Sequence, residues 1–165
     1  SVGILEANAM KTKIDMSPTF FLASIFAISA VAQFTGLSAA VASGLVPYLE
    51  LALDRDLYNL YAISGVSSLL SHLTTAPAAP AVMAPLAASL AQETGWPIET
   101  VAMAQVIGIS TPLLPYQAPP LIIAMALAKI PADQLTRVCV AVALAVAAFG
   151  LPITYLWWNY LGMFG

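Results

Sequence analysis

Residues 57–92, LYNLYAISGVSSLLSHLTTAPAAPAVMAPLAASLAQ, contain no Asp, Glu, Lys or Arg, and their middle reads Thr74-Thr75-Ala76-Pro77-Ala78-Ala79-Pro80. A helix crosses the roughly 30 Å apolar core of a bilayer with about 20 residues. The run is too long for one such crossing and too short for two with a turn between them. The two prolines at its centre do not continue a helix, because each lacks an N–H and its ring clashes with the turn before it. The pattern predicts a re-entrant hairpin in which 57–73 enters and 81–92 leaves by the same side. At 1.5 Å per residue its arms reach roughly 18–26 Å, which sets the tip near the midplane.

Three more charge-free runs flank this one, at 16–49, 100–128 and 138–165. Of the 165 residues, 61% are hydrophobic and 8% charged, with mean hydropathy +0.90. A soluble domain has roughly 25% charged and 45–50% apolar residues. The excess apolar surface is therefore expected to face lipid or other membrane helices. The first run predicts a span over about 18–41, then an interfacial segment ending at Pro47-Tyr48. The last predicts a span over 133–160, with a kink allowed at Pro152 and an aromatic belt of Tyr155, Trp157, Trp158 and Tyr160. Residues 100–128 are broken by Thr111-Pro112-Leu113-Leu114-Pro115-Tyr116-Gln117-Ala118-Pro119-Pro120. A helix over Ile98–Ile109 leads into this loop, and a half-helix over Pro119–Ala128 follows it. Irregular backbone at membrane depth persists only against protein or a water-filled cavity, so two such breaks point to a site. The expected fold is thus one all-α integral membrane domain over 1–165, with a re-entrant helical hairpin at 57–92 and a broken transmembrane helix at 98–128.

The few charges choose an orientation. Lys11 and Lys13 precede the first span, and Lys129 and Arg137 lie between the broken helix and the last span. Placing both groups in the cytoplasm satisfies the positive-inside rule and leaves Arg55, between Asp54 and Asp56, outside. The hairpin then dips in from outside. The expected location is the plasma or inner membrane, multi-pass. The single cysteine, Cys139, excludes an internal disulfide. A net charge of −3 without a basic patch gives no ground for nucleic acid as a partner. No secretory signal pattern is present, and the opening Ser-Val-Gly reads as the start of a piece of a longer protein. There is no Ser-His-Asp set, metal cluster or phosphate loop, so no enzyme, catalytic residue, metal or organic cofactor is expected.

A hairpin followed by a broken helix, each with a proline-containing small or polar loop, resembles the second inverted repeat of the divalent-anion:sodium symporter family, within the wider ion transporter superfamily. The resemblance covers about Phe20 to Trp158. The family carries Ser-Asn-Thr at the hairpin tip, ten residues before a proline; counting back from Pro85 gives Thr75-Ala76-Pro77. It carries Thr-Pro-Pro-Asn in the broken helix, where Ala118-Pro119-Pro120-Leu121 stands here. The spacing and the paired prolines match, while Ala76, Pro77, Ala118 and Leu121 replace polar groups that help the family bind carboxylates and sodium. The resemblance implies a C-terminal half that works with an N-terminal repeat, homodimer assembly, and sodium as the coupling ion.

Both the second hairpin arm after Pro80 and the half-helix at Pro119 are expected to begin as helix N-termini. Such ends carry unpaired N–H groups and partial positive charge, and near the midplane they suit an anion. The candidate substrate-binding residues are Thr74, Thr75, Ala76, Tyr116, Gln117 and Ala118. Carbonyls released by the breaks, with Ser71, Thr75 and Thr111, are the candidates for a coupling cation. Each has a plainer reading: Thr74 and Thr75 cap the arm, Gln117 satisfies loop backbone, and His72 is either a proton sensor or a neutral hydrogen-bonded ring. Ser64, Gly65, Ser67 and Ser68 are expected to serve close helix packing, and Gln33 and Gln105 to face protein. The leading function is secondary active transport of a small carboxylate or inorganic oxyanion by alternating access. The alternatives are a cation or proton antiporter, which usually needs intramembrane carboxylates, and a non-transporting membrane subunit.

Overall fold

A computed structural model describes residues 46–74 and 79–165, together with positions 19, 20, 23, 24, 27, 30, 31, 34–36, 40 and 44. The expected span over 18–41, the two N-terminal lysines and Gln33 lie, apart from those isolated positions, outside the described residues. So do Thr75 and Ala76 of the candidate site.

The described residues are helical, and none of them forms a strand. A 3-10 turn at Val46–Leu49 leads to α1 (Asp56–Leu73). After the break come α2 (Ala79–Met83), a 3-10 turn (Ala84–Leu86) and α3 (Ala87–Thr94). Then follow α4 (Ile98–Ile109), a 3-10 turn (Pro115–Gln117), α5 (Pro119–Ala128), α6 (Ala132–Ala145), a π turn (Val146–Gly150) and α7 (Leu151–Tyr160).

The arm after the break differs from the continuous helix expected over 81–92. Pro85 supplies no N–H, and the backbone tightens around it. The Ala87 N–H bonds Ala84 rather than Met83. The Met83 carbonyl accepts instead from Gln105 Nε2 at 3.1 Å. This buried glutamine therefore faces protein, as its place in an apolar run requires.

The hairpin is held by two apolar clusters. Leu60 and Ile63 of α1 pack with Ala87, Leu90, Trp96, Val101 and Ala104. Val66 and Leu70 pack with Ala79, Val82, Met83 and Ile109. Rising positions on α1 meet falling positions on α2–α3 and rising positions on α4. The arms are therefore antiparallel, and α4 runs parallel to α1. At the base, Trp96 Nε1 donates to Asp56 Oδ1 at 2.7 Å, tying the far ends of the two arms. Gly162 (φ +67) ends α7, and Phe164 folds back against Trp96, Tyr155 and Trp158.

The close approach of α1 and α4 is made by Gly108, not Gly65. A Cβ on Gly108 would run into the Ser64 carbonyl oxygen and lie 2.8 Å from Ser67 Cβ. Ser64 Oγ donates to the Ala104 carbonyl across the same contact, at 3.1 Å. A Cβ on Gly65 meets nothing within 4 Å, because this residue borders an open groove.

Among the described residues one helical run is long and apolar enough to cross a bilayer by length and composition. It is Ala132–Tyr160, 29 residues with mean hydropathy 2.2. At 1.5 Å per residue it reaches about 43 Å. The apolar helices Ile98–Ile109 and Pro119–Ala128 are each too short to cross alone. The long run continues through Pro152 by widening. Leu151 N–H bonds Val146, five residues back. The next donor in that register is Pro152, which has none, and the Ala147 carbonyl it would have reached accepts from the Tyr61 hydroxyl of α1.

Candidate functional site

A break in helical backbone after α4 lies against the last turn of α1, which itself ends in a break. The α1 break follows Leu73, where Thr74 turns to extended backbone (φ −127, ψ −150). The α4 break follows Ile109. Pro112 lacks an N–H and disfavours helical geometry at Thr111, and Pro115 and the Pro119-Pro120 pair prevent a regular helix from re-forming before α5.

Gln117 joins them. It is fully buried, at 0% exposure. Its Oε1 accepts from the N–H groups of Leu113 (2.8 Å) and Leu114 (2.7 Å). Those two bonds fix the amide orientation, since the reverse would set donors against donors. Its Nε2 donates to Ser71 Oγ on α1 at 2.7 Å. Next to it, the Tyr116 hydroxyl donates to the His72 carbonyl at 3.0 Å. That carbonyl is one of the last four of α1, which have no partner inside the helix. Ser71 Oγ in turn donates to the Ser68 carbonyl at 2.8 Å.

The structure thus brings together Ser71, Tyr116 and Gln117 of the sequence candidates, with Thr74 at the end of the same arm. Thr74 is buried, and its hydroxyl donates to Leu70 at 3.2 Å. Thr111 lies one turn of α1 away. Its hydroxyl donates to Ile107 at 2.8 Å, and its carbonyl faces Ser68 Oγ at 3.4 Å. Ala118 is the N-cap of α5, and its own N–H goes to Pro115.

The two helix starts differ from the expected fans of free N–H groups. The second arm opens with a five-residue helix that gives way to a 3-10 turn, so little dipole accumulates at its tip. At α5 the first two positions are prolines, and Leu121 N–H is given to Ala118 at 2.9 Å. The ten-residue α5 keeps the positive end of its dipole but offers few donors there.

Sequence reasoning assigned Ser68 to helix packing and missed its carbonyl, which collects both Ser71 Oγ and His72 Nδ1, as well as the Tyr61 bond to the π turn. Their positions on one face of α1 were the only available signal. Beside the junction runs a largely apolar groove of about 500 Å³, bordered by Gly65, Ser68, Gly108, Thr111, Val140 and Ala143 among others. No group of three or more His, Cys, Asp or Glu able to hold a metal occurs among the described residues. No protein-family profile, curated protein or solved structure matches this chain.

Proposed function

We propose that this chain is the C-terminal half of a multi-pass secondary transporter that carries a small anion, coupled to a cation. The observation that carries the reading is the bond between Gln117 and Ser71, which pins one broken helix to the other. A plain anchor has no use for two adjoining interruptions. In this reading the hairpin of α1 to α3 is re-entrant, and α4 with α5 forms one interrupted crossing. The exposed apolar side chains of α5, α6, the π turn and α7, such as Leu127, Leu144, Phe149 and Leu156, face lipid. Thr74, at the end of α1, lies at the cargo. The positive end of α5 supplies the attraction for negative charge. Ser71, Tyr116 and Gln117 position the two breaks rather than meet the cargo, because their bonds tie α1 to the loop, whereas the Thr74 hydroxyl bonds within its own helix. An inverted N-terminal repeat completes the site.

The test is uptake into proteoliposomes holding the full-length protein. Labelled succinate, citrate, phosphate and sulfate are offered under imposed sodium and proton gradients. Accumulation of at least one above protein-free liposomes is expected. A folded protein that accumulates none of them under either gradient ends the reading.

A further inference from the structure

His72 is the chain's only histidine, and it sits where the two breaks meet, half-buried near the end of α1. Its Nδ1 lies 2.7 Å from the Ser68 carbonyl oxygen. A carbonyl only accepts, so Nδ1 carries the hydrogen and the neutral ring is the Nδ1–H tautomer. Gln117 Nε2 lies 3.3 Å from the same nitrogen, but it is itself a donor and is directed to Ser71 Oγ. Nε2 is left as the basic nitrogen, and no described residue hydrogen-bonds to it. A proton arriving there breaks no existing bond. Imidazole is the one side chain that ordinarily changes charge between pH 5 and 8.

The groups around the ring offer no compensating charge. From α1 it faces Ser68 and Ser71, and from the loop Tyr116 and Gln117. Tyr116 is the only other titratable side chain of that set, and its hydroxyl serves the His72 carbonyl. The helix α2 carries no titratable residue. The helix α6, which packs on the Pro115–Gln117 turn, carries the buried Cys139 and an exposed Asp133–Arg137 pair at 3.8 Å. Neither 57–92 nor 100–128 contains a carboxylate. A positive charge on His72 therefore has no fixed counterion from the two runs that build the junction. An anion held at the positive start of α5, two residues beyond Gln117, supplies one.

We propose that His72 Nε2 binds a proton at the meeting point of the two breaks, and that this proton is the ion coupled to the transported anion. The inference rests on the anion-transport reading and deepens it. Proton and anion each neutralise the other in a site poor in charge, so each strengthens the other's binding. By linkage the two effects are equal in size.

The experiment uses the full-length protein in lipid nanodiscs, with histidine labelled by nitrogen-15, and the same protein in proteoliposomes. Any further histidine upstream is assigned by substitution. The His72 ring is expected to show hydrogen on Nδ1 alone at alkaline pH and on both nitrogens in acid. Adding succinate or phosphate, whichever is transported, should favour the doubly protonated form. Uptake of that anion should rise on the order of tenfold per unit of inward proton gradient, the limit for one coupled proton. His72→Asn places an amide donor where Nδ1–H stood and removes the basic nitrogen, so its acid stimulation should collapse to about onefold. His72→Gln, with a thermal melt of both variants, guards against a folding defect. A ring that is Nε2–H when neutral, or that never gains a second proton, overturns the proposal. Uptake driven by sodium alone, or equal acid stimulation in folded His72→Asn, overturns it while leaving anion transport standing. No uptake under any gradient removes the transport reading and the coupling together.

Discussion

The loop at 110–118 and the π turn at Val146–Gly150 both arise where proline interrupts helical hydrogen bonding, yet one ends a helix and the other does not. The loop meets Pro112, Pro115, Pro119 and Pro120 in quick succession, and regular helix is lost between Ile109 and Pro119. The π turn meets Pro152 alone. One widened turn absorbs it, and Ala132–Tyr160 stays continuous. In both places a side chain replaces the missing backbone partner. Gln117 Oε1 takes the N–H groups of Leu113 and Leu114, and Tyr61 gives its hydroxyl to Ala147. The helix α1 is party to both repairs, through Ser71 and His72 at one end and Tyr61 near the other. A displacement of α1 would therefore be felt at the loop and at the long helix together.

The comparison breaks most severely if α1 is forced away from α4. Gly108→Val places branched carbons against the Ser64 carbonyl and Ser67. Backbone cannot yield as a flexible side chain does. The expected cost is about 3 kcal/mol or more, at the upper end for overpacking. Chemical unfolding in detergent should register it, with Gly65→Val, which faces open space, costing far less.

Next in size is Gln117→Leu. It strands two part-buried N–H groups and removes the tie to Ser71, so a loss of about 3 kcal/mol is expected. Hydrogen exchange at Leu113 and Leu114 should accelerate, while exchange across Ala132–Tyr160 stays unchanged. Equal acceleration in both regions would mean that the loop and the long helix are not separately repaired.

Much of this layout could be read along the chain. Proline acts on its own turn and the residue before it, so Ile98–Ile109, Pro119–Ala128 and the break after Leu73 follow from local rules. The interruption at Pro85 is local too, but it falls inside a run whose composition favours helix, and the arm was expected to be continuous. What local rules do not carry is which faces of separate helices meet. Gly65 and Gly108 are alike as residues, and only the register of α1 against α4 makes Gly108 the contact. Gln117 was legible as either a ligand or a servant of the loop. Two of its bonds stay within its own loop, but its burial and its bond to Ser71 follow from the approach of two segments 46 positions apart.

The smallest expected effect is the sharpest probe of the idea that a side chain substitutes for a lost backbone donor. Tyr61→Phe keeps the ring and removes one hydroxyl bond, which leaves the Ala147 carbonyl without its partner. A cost of about 1–2 kcal/mol is expected. Pro152→Ala returns an N–H at the position that the π register directs to Ala147, so in that background the carbonyl no longer depends on Tyr61. The same Tyr61→Phe change should then cost less, by about 0.5–1 kcal/mol, and the difference is the coupling energy of a double-mutant cycle. The register matters to the argument. Removing the proline does not delete the extra residue of the π turn, because the packing of α6 and α7 on either side fixes their phase. If Tyr61→Phe costs the same with and without Pro152, the hydroxyl acts on α1 packing alone. The two proline sites would then share no common logic.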